Sequence, residues 1–556
     1  MAGRESAKAL GAFYTDAQVA DFLVAWAIRS SQDTVMDPSF GGGVFLRSAC
    51  KRLTKLGGQP AIQVFGVEID PEVHAQTVEE LSSEYGIRQH HFVLSDFFDF
   101  DLDQIAVPPV DVIVGNPPFI RYQRFSGETR KRALMRVARE GVRLTELSSS
   151  WAPFVVHSIA VLKPGGRLAV VVPMEIGHAA YARPVLDYLS KSFSRVTFLT
   201  FRQKLFPDLN EDALLLLAEN KGAGPSEFLW RDLAHTGALT ELQSRNQWAL
   251  SGADRINAQA LSQGRERLIE YFIPQKARDL YRQLKCLPLT QRLGDLADVG
   301  IGYVTGANDF FHLKPSEAQR WAIPESFLRP AVRRGRALSG LRFTRQDLHV
   351  ALKSGEASYL LLINEEAALP KSVCSYLAYG EAQGVPEAYK CRTRSPWFRV
   401  PHVYQPDALL SYMSGVMPRL VANEAGVVSP NSLHILRLHP HTRLPSNAIA
   451  VLWQTSLTRL SVEIEGHALG GGMLKLEPTE AESVIVPSHQ VSLEILMELG
   501  EELDGLIRNG DHATAQTRAD TIILREGLGL SQRDCHLLRT AARMLQRRRC
   551  SRGAVA

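Results

Sequence analysis

The sequence is poor in the features that mark disulfide-rich, zinc-binding and membrane-spanning proteins. It has only six cysteines, which form no C-x-x-C pair. This spacing argues against a disulfide framework or a zinc site and is typical of a protein in a reducing compartment. No apolar run reaches membrane-spanning length, and the first residues lack the apolar core of a signal peptide. We therefore expect a cytoplasmic protein with no membrane partner and no bound metal.

The excess of positive charge is also small, because the 556 residues carry a formal net charge of +4. The positive residues are nevertheless clustered, at 329–345, 390–399 and 539–552. Each cluster fits either a polyanionic partner such as nucleic acid or an ordinary solvated face. Charge alone leaves both interpretations open.

Helix and strand patterns alternate from residue 16 to about residue 220. Asp16 is placed to cap a helix, Pro71 opens another helix over 71–85, and the stretches between helices suit buried strands. This alternation predicts an α/β fold with a doubly wound, mostly parallel sheet. Such sheets bind ligands at the carboxyl ends of their strands.

The chain is too long for one ordinary domain, and the alternation is lost after about residue 228. We predict an α/β domain over 1–228, a helical connector over 229–290, an α+β domain over 291–487 and a helical segment over 488–556. Within the first domain, the basic stretch 120–150 is predicted to be part loop and part helix.

The first two predicted strands of the α/β domain end in residues that suit a nucleotide-like ligand. The first strand runs into DPSFGGGVF at 37–45, where glycines let backbone N–H groups approach a ligand closely. The second ends at Glu68 and Asp70. A carboxylate at this separation along the sequence from the glycine turn suits the two hydroxyls of a ribose. We therefore favour Glu68 as the ribose-binding residue. Asp70 is better explained as the cap of the next helix.

The third predicted strand ends at Asp96 and Phe97. A ligand lying across the sheet edge would place an adenine there, with its amino group at Asp96 and its ring beside Phe97. Each strand end has an ordinary structural explanation, such as a turn or a helix cap. Three in succession indicate a ligand site more strongly than any one of them.

The fourth strand, V-D-V-I-V-G at 110–115, runs into N-P-P-F at 116–119. Its apolar residues suit a strand buried on both faces, and the prolines must end it because they cannot donate to a β-ladder. The two prolines also make the corner rigid and rich in hydrogen-bond acceptors. Taken alone, the motif is also compatible with a plain structural turn.

This order of strand ends resembles the class I S-adenosylmethionine-dependent methyltransferases. The N-P-P-F sequence resembles the [D/N/S]-P-P-[Y/F/W] motif of DNA amino-methyltransferases. GAFYTD at 11–16, VLKPGGRLAVVVP at 161–173 and FRQKLFPDLNEDALLLL at 201–217 resemble further motifs of these enzymes. The order of cofactor motif, catalytic domain and large recognition domain resembles the gamma subgroup, which largely methylates adenine at N6 in restriction–modification systems.

The resemblance implies the cofactor S-adenosyl-L-methionine, bound at the strand ends and the N-terminal motif. The implied cofactor-binding residues are Tyr14, Thr15, Asp37, Gly41, Gly43, Glu68, Ile69, Asp96, Phe97, Asn116 and Pro118. The implied catalytic residues are Asn116, Pro117, Phe119 and Phe206. It also implies that 1–228 is the catalytic domain and that 291–487 is the target-recognition domain. The implied partner is double-stranded DNA. A cognate restriction endonuclease or another defence-system subunit is a further candidate partner.

Chemistry supports these roles, because the exocyclic amino nitrogen of a base is a poor nucleophile. Two acceptors aimed at its N–H bonds, the side-chain oxygen of Asn116 and the carbonyl of Pro117, would turn its lone pair toward a methyl donor. Phe119 offers a stacking face to a base rotated out of the duplex. By resemblance, Phe206 offers a second face.

Other functions remain open at this point. N4-cytosine methyltransferases use the same geometry, although S-P-P-W is commoner among them. Methyltransferases acting on RNA or protein amino groups share the motif, but they usually lack a large recognition domain. A catalytically inert DNA-binding specificity subunit would not need the acceptor, aromatic and glycine positions that are intact here. A fused endonuclease is not supported, because no convincing P-D…(D/E)-x-K arrangement occurs.

Overall fold

The computed structural model describes residues 15–99, 108–206, 212–224, 226–244, 252–363, 369–488 and 491–553. The chain divides into two compact units, and the division lies between Phe272 and Ile273. Among the helices of the described residues, none combines the length and the apolar character needed to cross a bilayer.

The first unit is built on a nine-stranded sheet with the strand order 3-2-1-4-5-7-6-8-9. The first five strands pair in parallel, whereas β7 runs antiparallel to both β5 and β6. The strands are β1 (Val35–Asp37), β2 (Val64–Glu68), β3 (Phe92–Leu94), β4 (Val110–Gly115), β5 (Leu162–Pro173), β6 (Phe193–Phe201), β7 (Ala213–Lys221), β8 (Glu227–Leu233) and β9 (Asp254–Ile256). The predicted α/β fold with a mostly parallel sheet is confirmed.

Helices connect these strands and begin where the sequence provides caps. The Asp16 side chain accepts the N–H of Gln18, and that of Asp70 accepts the N–H groups of Glu72 and Val73. Asp70 therefore has the capping role expected of it. The helices are α1 (Ala17–Ala27), α2 (Val44–Leu56), α3 (Pro60–Gln63), α4 (Pro71–Tyr85), α5 (Gly127–Arg139), α6 (Trp151–Val161), α7 (Arg183–Ser192), α8 (Gly237–Ser244) and α9 (Ala258–Ser262).

Strand β4 lies in the middle of the hydrophobic core, as its apolar sequence predicts. Val110, Val112, Ile113 and Val114 are all fully buried. The strand order reverses between β1 and β4, and Met36 lies opposite Ile113 in the parallel register. Ligands bind at such a reversal in doubly wound sheets. The carboxyl ends of β1 and β4 are therefore side by side where a ligand is expected.

Three details of the strands and their boundaries depend on the folded structure. Residues 60–63 form a short helix directly before β2. The K-P-G-G stretch is a bulge within β5, whose register to β4 shifts between Leu162 and Arg167. Strands β8 and β9 join the large sheet, so the structural division at Phe272 differs from the predicted domain end at residue 228.

The second unit combines short strands with helices and ends in a helical segment. Its largest sheet has five strands in the order 11-19-16-18-14. The strands are β10 (Thr290–Arg292), β11 (Ala297–Ile301), β12 (His312–Leu313), β13 (Leu328–Pro330), β14 (Arg342–Phe343), β15 (Tyr359–Leu361), β16 (Ala408–Leu410), β17 (Met413–Ser414), β18 (Leu420–Asn423), β19 (His434–Leu438), β20 (His467–Ala468), β21 (Leu474–Lys475) and β22 (Ile485–Pro487).

The helices of this unit are numbered on from those of the first. They are α10 (Gln275–Lys285), α11 (Leu293–Leu296), α12 (Asn308–Phe311), α13 (Pro315–Arg320), α14 (Arg345–Lys353), α15 (Lys371–Ala382), α16 (Tyr389–Arg392), α17 (Ser446–Leu452), α18 (Ser456–Glu465), α19 (Pro478–Ser483), α20 (Leu493–Arg508), α21 (His512–Ala519) and α22 (Gln532–Gly553), with a π-helix at Asp520–Gly527 before α22.

Part of the last basic cluster is internal rather than exposed. Arg549 on α22 is buried, forms a 2.7 Å ion pair with buried Glu463, and donates to the Gly415 carbonyl at 3.0 Å. Arg539 pairs with buried Asp520 at 2.6 Å. Arg549 thus joins α22 to α18, and Arg539 joins α22 to the π-helix before it, which charge clustering alone did not reveal.

Candidate active site at the carboxyl edge of the sheet

A glycine lets the ends of β1 and β4 approach each other closely. A Cβ built on Gly115 would lie only 2.7 Å from Oδ1 of Asp37. Any larger residue at the end of β4 would push this carboxylate away. The glycine before the N-P-P-F motif therefore brings Asp37 and Asn116 to one corner.

The side chain of Asn116 has one satisfied end and one unsatisfied end. Its Nδ2 donates to Oγ1 of Thr15 at 3.2 Å. Its Oδ1 is buried and has no hydrogen-bond partner among the described residues. Most buried side-chain oxygens are paired, so an unpaired one at a sheet edge is a candidate acceptor for a ligand N–H group. Thr15 thus orients the amide and leaves its oxygen available.

Asp37 shows the same pattern. It is almost completely buried, and Oδ1 accepts the Ser39 N–H at 3.1 Å, while Oδ2 has no partner among the described residues. Burial raises the pKa of Asp37 to about 8, nearby Glu68 adds to the rise, and the Ser39 hydrogen bond opposes it. A positively charged or N–H-bearing ligand group would relieve this unfavourable burial.

Glu68 joins the end of β2 to the glycine turn. Its Oε2 accepts the Gly41 N–H at 2.8 Å, and its Oε1 accepts the N–H groups of Ile69 and Asp70, each at 2.9 Å. These three backbone N–H groups hold the Glu68 carboxylate in one orientation. They thereby also set the directions in which its other lone pairs point. This is the predicted position of a ribose-binding acid.

The glycine turn is open on one side and closed on the other. Gly41 has φ +47°, and a Cβ built there would meet nothing within 4 Å. Gly43 has φ +72° and directly precedes α2, but a Cβ there would lie 2.7 Å from Cγ2 of Thr77. Gly41 thus leaves space for a ligand to approach the backbone, whereas Gly43 allows tight packing on α4.

The end of β3 provides a carboxylate and exposed apolar surface. Oδ1 of Asp96 accepts the Phe98 N–H at 3.0 Å, and Oδ2 lies 3.5 Å from a guanidinium nitrogen of Arg132. The Phe97 ring is buried, with its centroid 4.7 Å from Phe154. The exposed apolar side chains at this edge are Ile69, 52% exposed, and Leu94, 51% exposed.

Leu94 was missed by sequence reasoning. It pairs in register with Glu68, so it lies directly beside the predicted ribose-binding acid. The sequence signal was an apolar residue at the last position of an edge strand, next to the end of β2.

The N-P-P-F corner is fixed by the residue before α6. The Ser150 hydroxyl donates to the Pro118 carbonyl and accepts the Ile120 N–H at 2.9 Å. Phe119, between these two anchored residues, is only 7% exposed. The structure therefore places Pro118 at the corner but engages its carbonyl within the protein.

The second predicted aromatic residue lies in the same hydrophobic core. Phe206 follows β6 and is 8% exposed. Residues 207–211, which continue its loop, lie outside the described residues, as does Tyr14 of the N-terminal motif. The Met174 N–H donates to the Asp212 carbonyl at 2.8 Å, which links the far end of this loop to the end of β5.

A second polar cluster at the end of β5 was also missed from the sequence. The Tyr181 hydroxyl donates to Oε2 of Glu175 and accepts the indole N–H of Trp151 at 2.9 Å. Burial raises the pKa of Tyr181, and the neighbouring Glu175 carboxylate raises it further. The cluster stabilises the first turn of α6 against β5, next to Ser150.

Two family models match separate parts of the chain. Residues 1–179 match the model described as N-6 DNA Methylase, and residues 265–524 match that of Type II methyltransferase M.Eco57I, C-terminal domain. Over these two ranges the chain is similar to DNA methyltransferases of the N-6 and Type II families. This confirms the predicted resemblance to DNA methyltransferases of restriction–modification systems.

Individual relatives agree with the family models over most of the chain. Type II methyltransferase M.AccI of Acinetobacter calcoaceticus is 22% identical over 494 residues, which is 86% of this chain and 85% of that protein. Type II methyltransferase M.XamI of Xanthomonas campestris pv. amaranthicola is 22% identical over 501 residues, with the same two coverages of 86% and 85%.

A solved structure shares the fold. The Type IIL restriction–modification enzyme MmeI, solved in complex with DNA, aligns with a TM-score of 0.55 at 13% identity. The alignment covers 95% of this chain and 75% of that one. The similarity supports the mixed α/β architecture of this relative of the Type II methyltransferases.

Proposed function

We propose that the protein is a sequence-specific DNA methyltransferase that transfers a methyl group from S-adenosyl-L-methionine to the N6 amino group of a flipped-out adenine. The observation that carries the proposal is the buried, unpaired Oδ1 of Asn116 at the end of β4. An amino group of a base would supply the missing donor. The match to an N-6 DNA Methylase model supports adenine as the target.

The residues at the sheet edge fit the proposed cofactor. The unpaired Oδ2 of Asp37 suits the ammonium group of its methionine part, and Glu68 suits its ribose. The exposed surfaces of Ile69 and Leu94 suit its adenine, with Asp96 at the same strand end. When bound, S-adenosyl-L-methionine supplies a methyl group that its sulfonium centre already activates.

Residues of the corner would then prepare the accepting nitrogen. Oδ1 of Asn116 and the carbonyl of Pro117 would accept the two N–H bonds, which favours a pyramidal nitrogen with its lone pair free for the methyl group. Thr15 holds the Asn116 amide in the required orientation. An amide cannot act as a base, so we assign no catalytic base, and the proton leaves after transfer. This demands close, in-line placement of the reactants.

Phe119 and Phe206 are proposed to hold the target base. Both rings are packed into the core, so their orientation is set before DNA arrives. A rigid aromatic face loses little conformational freedom when a base stacks on it. Asn and Phe in the motif favour adenine over cytosine, for which S-P-P-W is commoner.

We further propose that the second unit contributes target recognition and that the protein is the modification partner of a restriction or phage-defence system. The match of residues 265–524 to the C-terminal domain of a Type II methyltransferase supports this role. Basic side chains would contact phosphates, which positions the duplex without reading its sequence.

The test is expression in a methylation-free bacterial host, followed by sequencing of its DNA with a modification-sensitive method. The expected result is one adenine-containing motif methylated throughout the genome, and no such motif with the Asn116→Ala variant. N4-methylcytosine in a single motif would instead establish the cytosine alternative. Unmodified DNA, with methyl transfer to RNA or protein, would overturn the proposal.

A further inference from the structure

Ser150 occupies the position of a helix cap but does not cap its helix. It directly precedes α6, and its side chain accepts no N–H of the first helical turn. Serine at this position usually accepts such an N–H, and this bond stabilises the helix. The hydroxyl of Ser150 must therefore have another use.

That use is a clamp on the N-P-P-F corner. The hydroxyl donates to the carbonyl of Pro118 and accepts the N–H of Ile120 at 2.9 Å. The backbone N–H of Ser150 donates to the carbonyl of Ile120 at 3.0 Å. Ser150 is completely buried, so water does not compete for these bonds. One residue thus fixes the backbone on both sides of Phe119.

We propose that Ser150 is a positioning residue for methyl transfer, which holds Phe119 and, through Pro118, the carbonyl of Pro117 in their working orientations. The inference deepens the proposed function and depends on it. It also explains why the carbonyls of Pro117 and Pro118 have different roles. The Pro118 carbonyl is engaged inside the protein, so the carbonyl before it is the one presented to the amino group.

The polar cluster beside Ser150 makes the clamp rigid. Trp151, the next residue, is completely buried, and its indole N–H donates to Tyr181, which in turn donates to Glu175. The first turn of α6 is therefore anchored to the end of β5. Because this turn is fixed, the hydrogen bonds of Ser150 set the position of the N-P-P-F corner. The same bonds made from a mobile turn would not do so.

The experiment uses the full-length protein and a duplex carrying the methylated motif identified in the genome. The variants are Ser150→Ala, which removes the hydroxyl, and Ser150→Cys, which keeps similar size with only a weak S–H donor. The matched control is Ser158→Ala. Ser158 is also buried on α6, but its hydroxyl bonds to the Phe154 carbonyl of the same helix at 2.8 Å.

The measurements are the single-turnover rate at saturating DNA and cofactor, the KM for DNA, and the cofactor Kd by calorimetry. For both Ser150 variants we expect the single-turnover rate to fall by about 10- to 100-fold, because small misplacements slow in-line reactions strongly. We expect the cofactor Kd to change by less than about twofold, because Asp37 and Glu68 are untouched. Ser158→Ala should keep the wild-type rate.

The outcomes distinguish the positioning role of Ser150 from the proposed function of the protein. Equal single-turnover rates for wild type, Ser150→Cys and Ser158→Ala would overturn the positioning role while leaving the proposed function intact. A Ser150→Cys variant that loses cofactor affinity in proportion to rate would also overturn it, because that pattern indicates general unfolding. If Ser150→Ala does not fold, Ser150→Cys alone decides. Absence of methyl transfer to DNA by the wild-type protein would instead overturn the proposed function.

Discussion

Two buried aspartates, one in each unit, show how the same residue type serves ligand binding or structure. Asp37 and Asp520 are equally buried, and burial raises the pKa of both. Asp520 accepts the N–H and hydroxyl of Ser456 and pairs with Arg539 at 2.6 Å. Among the described residues, Asp37 has a hydrogen-bond partner, Ser39, on Oδ1 and none on Oδ2. A buried carboxylate with all its partners stabilises the fold, whereas one left incomplete indicates a site.

The same contrast separates two asparagines. Oδ1 of Asn423 accepts the Val427 N–H at 3.0 Å, and its Nδ2 donates to the Pro406 carbonyl at 2.8 Å. The oxygen of Asn116 has no partner among the described residues. The comparison predicts that removing the Asn423 amide lowers the stability of the protein, whereas removing the Asn116 amide lowers the rate of methyl transfer.

The largest expected effect tests this asparagine pair. Asn116→Ala should lower the single-turnover rate by about 10²- to 10³-fold or more, since it removes an acceptor aimed at the reacting group. Its thermal stability and its cofactor Kd by calorimetry should stay close to wild type. Asn423→Ala should lower the unfolding temperature and keep the rate. A near wild-type rate for Asn116→Ala would refute the assigned mechanism.

The next prediction concerns a buried charged pair of the second unit, Arg549 and Glu463. Arg549→Ala leaves Glu463 buried without its ion pair, and such a change destabilises proteins by about 3–5 kcal/mol. We expect a lower urea midpoint for the transition of the second unit, measured by circular dichroism. Arg547→Ala, an exposed change on the same helix, should stay within about 0.5 kcal/mol of wild type. Equal midpoints for the two variants would show that the buried pair contributes little.

Asp37→Asn tests the incomplete carboxylate. It should weaken cofactor binding by about 10- to 100-fold, because a carboxyl group that can ionise beside the ammonium group of the cofactor is replaced by an amide that cannot. Calorimetry with S-adenosyl-L-methionine measures this directly. Asp520→Asn should leave the cofactor Kd unchanged and lower the unfolding temperature. Unchanged affinity in Asp37→Asn would remove Asp37 from the cofactor site.

Asp37 also predicts a pH dependence of stability with a definite sign. Its pKa is about 8 in the folded protein and near 3.8 when unfolded, so the folded state binds the extra proton between these values. Its contribution to stability is present below the unfolded pKa and is lost as pH rises toward 8. Ligand-free wild type should therefore lose stability relative to Asp37→Asn between pH 5 and pH 8, measured by thermal unfolding. A constant difference across that range would contradict the raised pKa.

The smallest expected effect concerns the exposed apolar edge. Ile69→Ala should weaken cofactor binding by about 2- to 5-fold, because it removes part of the apolar surface that an adenine would cover. Stability should barely change, since the side chain is 52% exposed. Ile62→Ala, at 50% exposure in α3, is the control. Equal cofactor Kd values for the two variants would argue against adenine contact at Ile69.

Much of the first unit follows from local sequence. Asp70 and Pro71 predict where α4 begins, and the run of apolar residues in β4 predicts a strand buried on both faces. These features depend on neighbours a few residues away, so a single sequence contains them. Glu68, Gly41 and Asn116 follow as site predictions, because parallel strands bring their carboxyl ends to one edge. The structure brings these three to that edge.

Other features depend on residues far apart in the chain. Ser150 contacts Pro118 and Ile120, and Arg549 contacts Glu463 across 86 positions. The sheet strands β8 and β9 are recognisable only through their pairing with β6 and with each other. Local pattern contains no signal for such contacts, since hydrogen bonding and burial are set by whichever segments pack together.

The sequence by itself determined the α/β alternation, the glycine turn and the polar strand ends, because periodicity and backbone restriction act over a few residues. Only the tertiary structure decided which polar atoms stay unpaired. Packing of the described residues leaves Asp37 with an unpaired oxygen, whereas it surrounds Asp520 with partners. A buried group without a partner is a property of the assembled fold, and at this sheet edge it makes Asp37 and Asn116 candidate site residues.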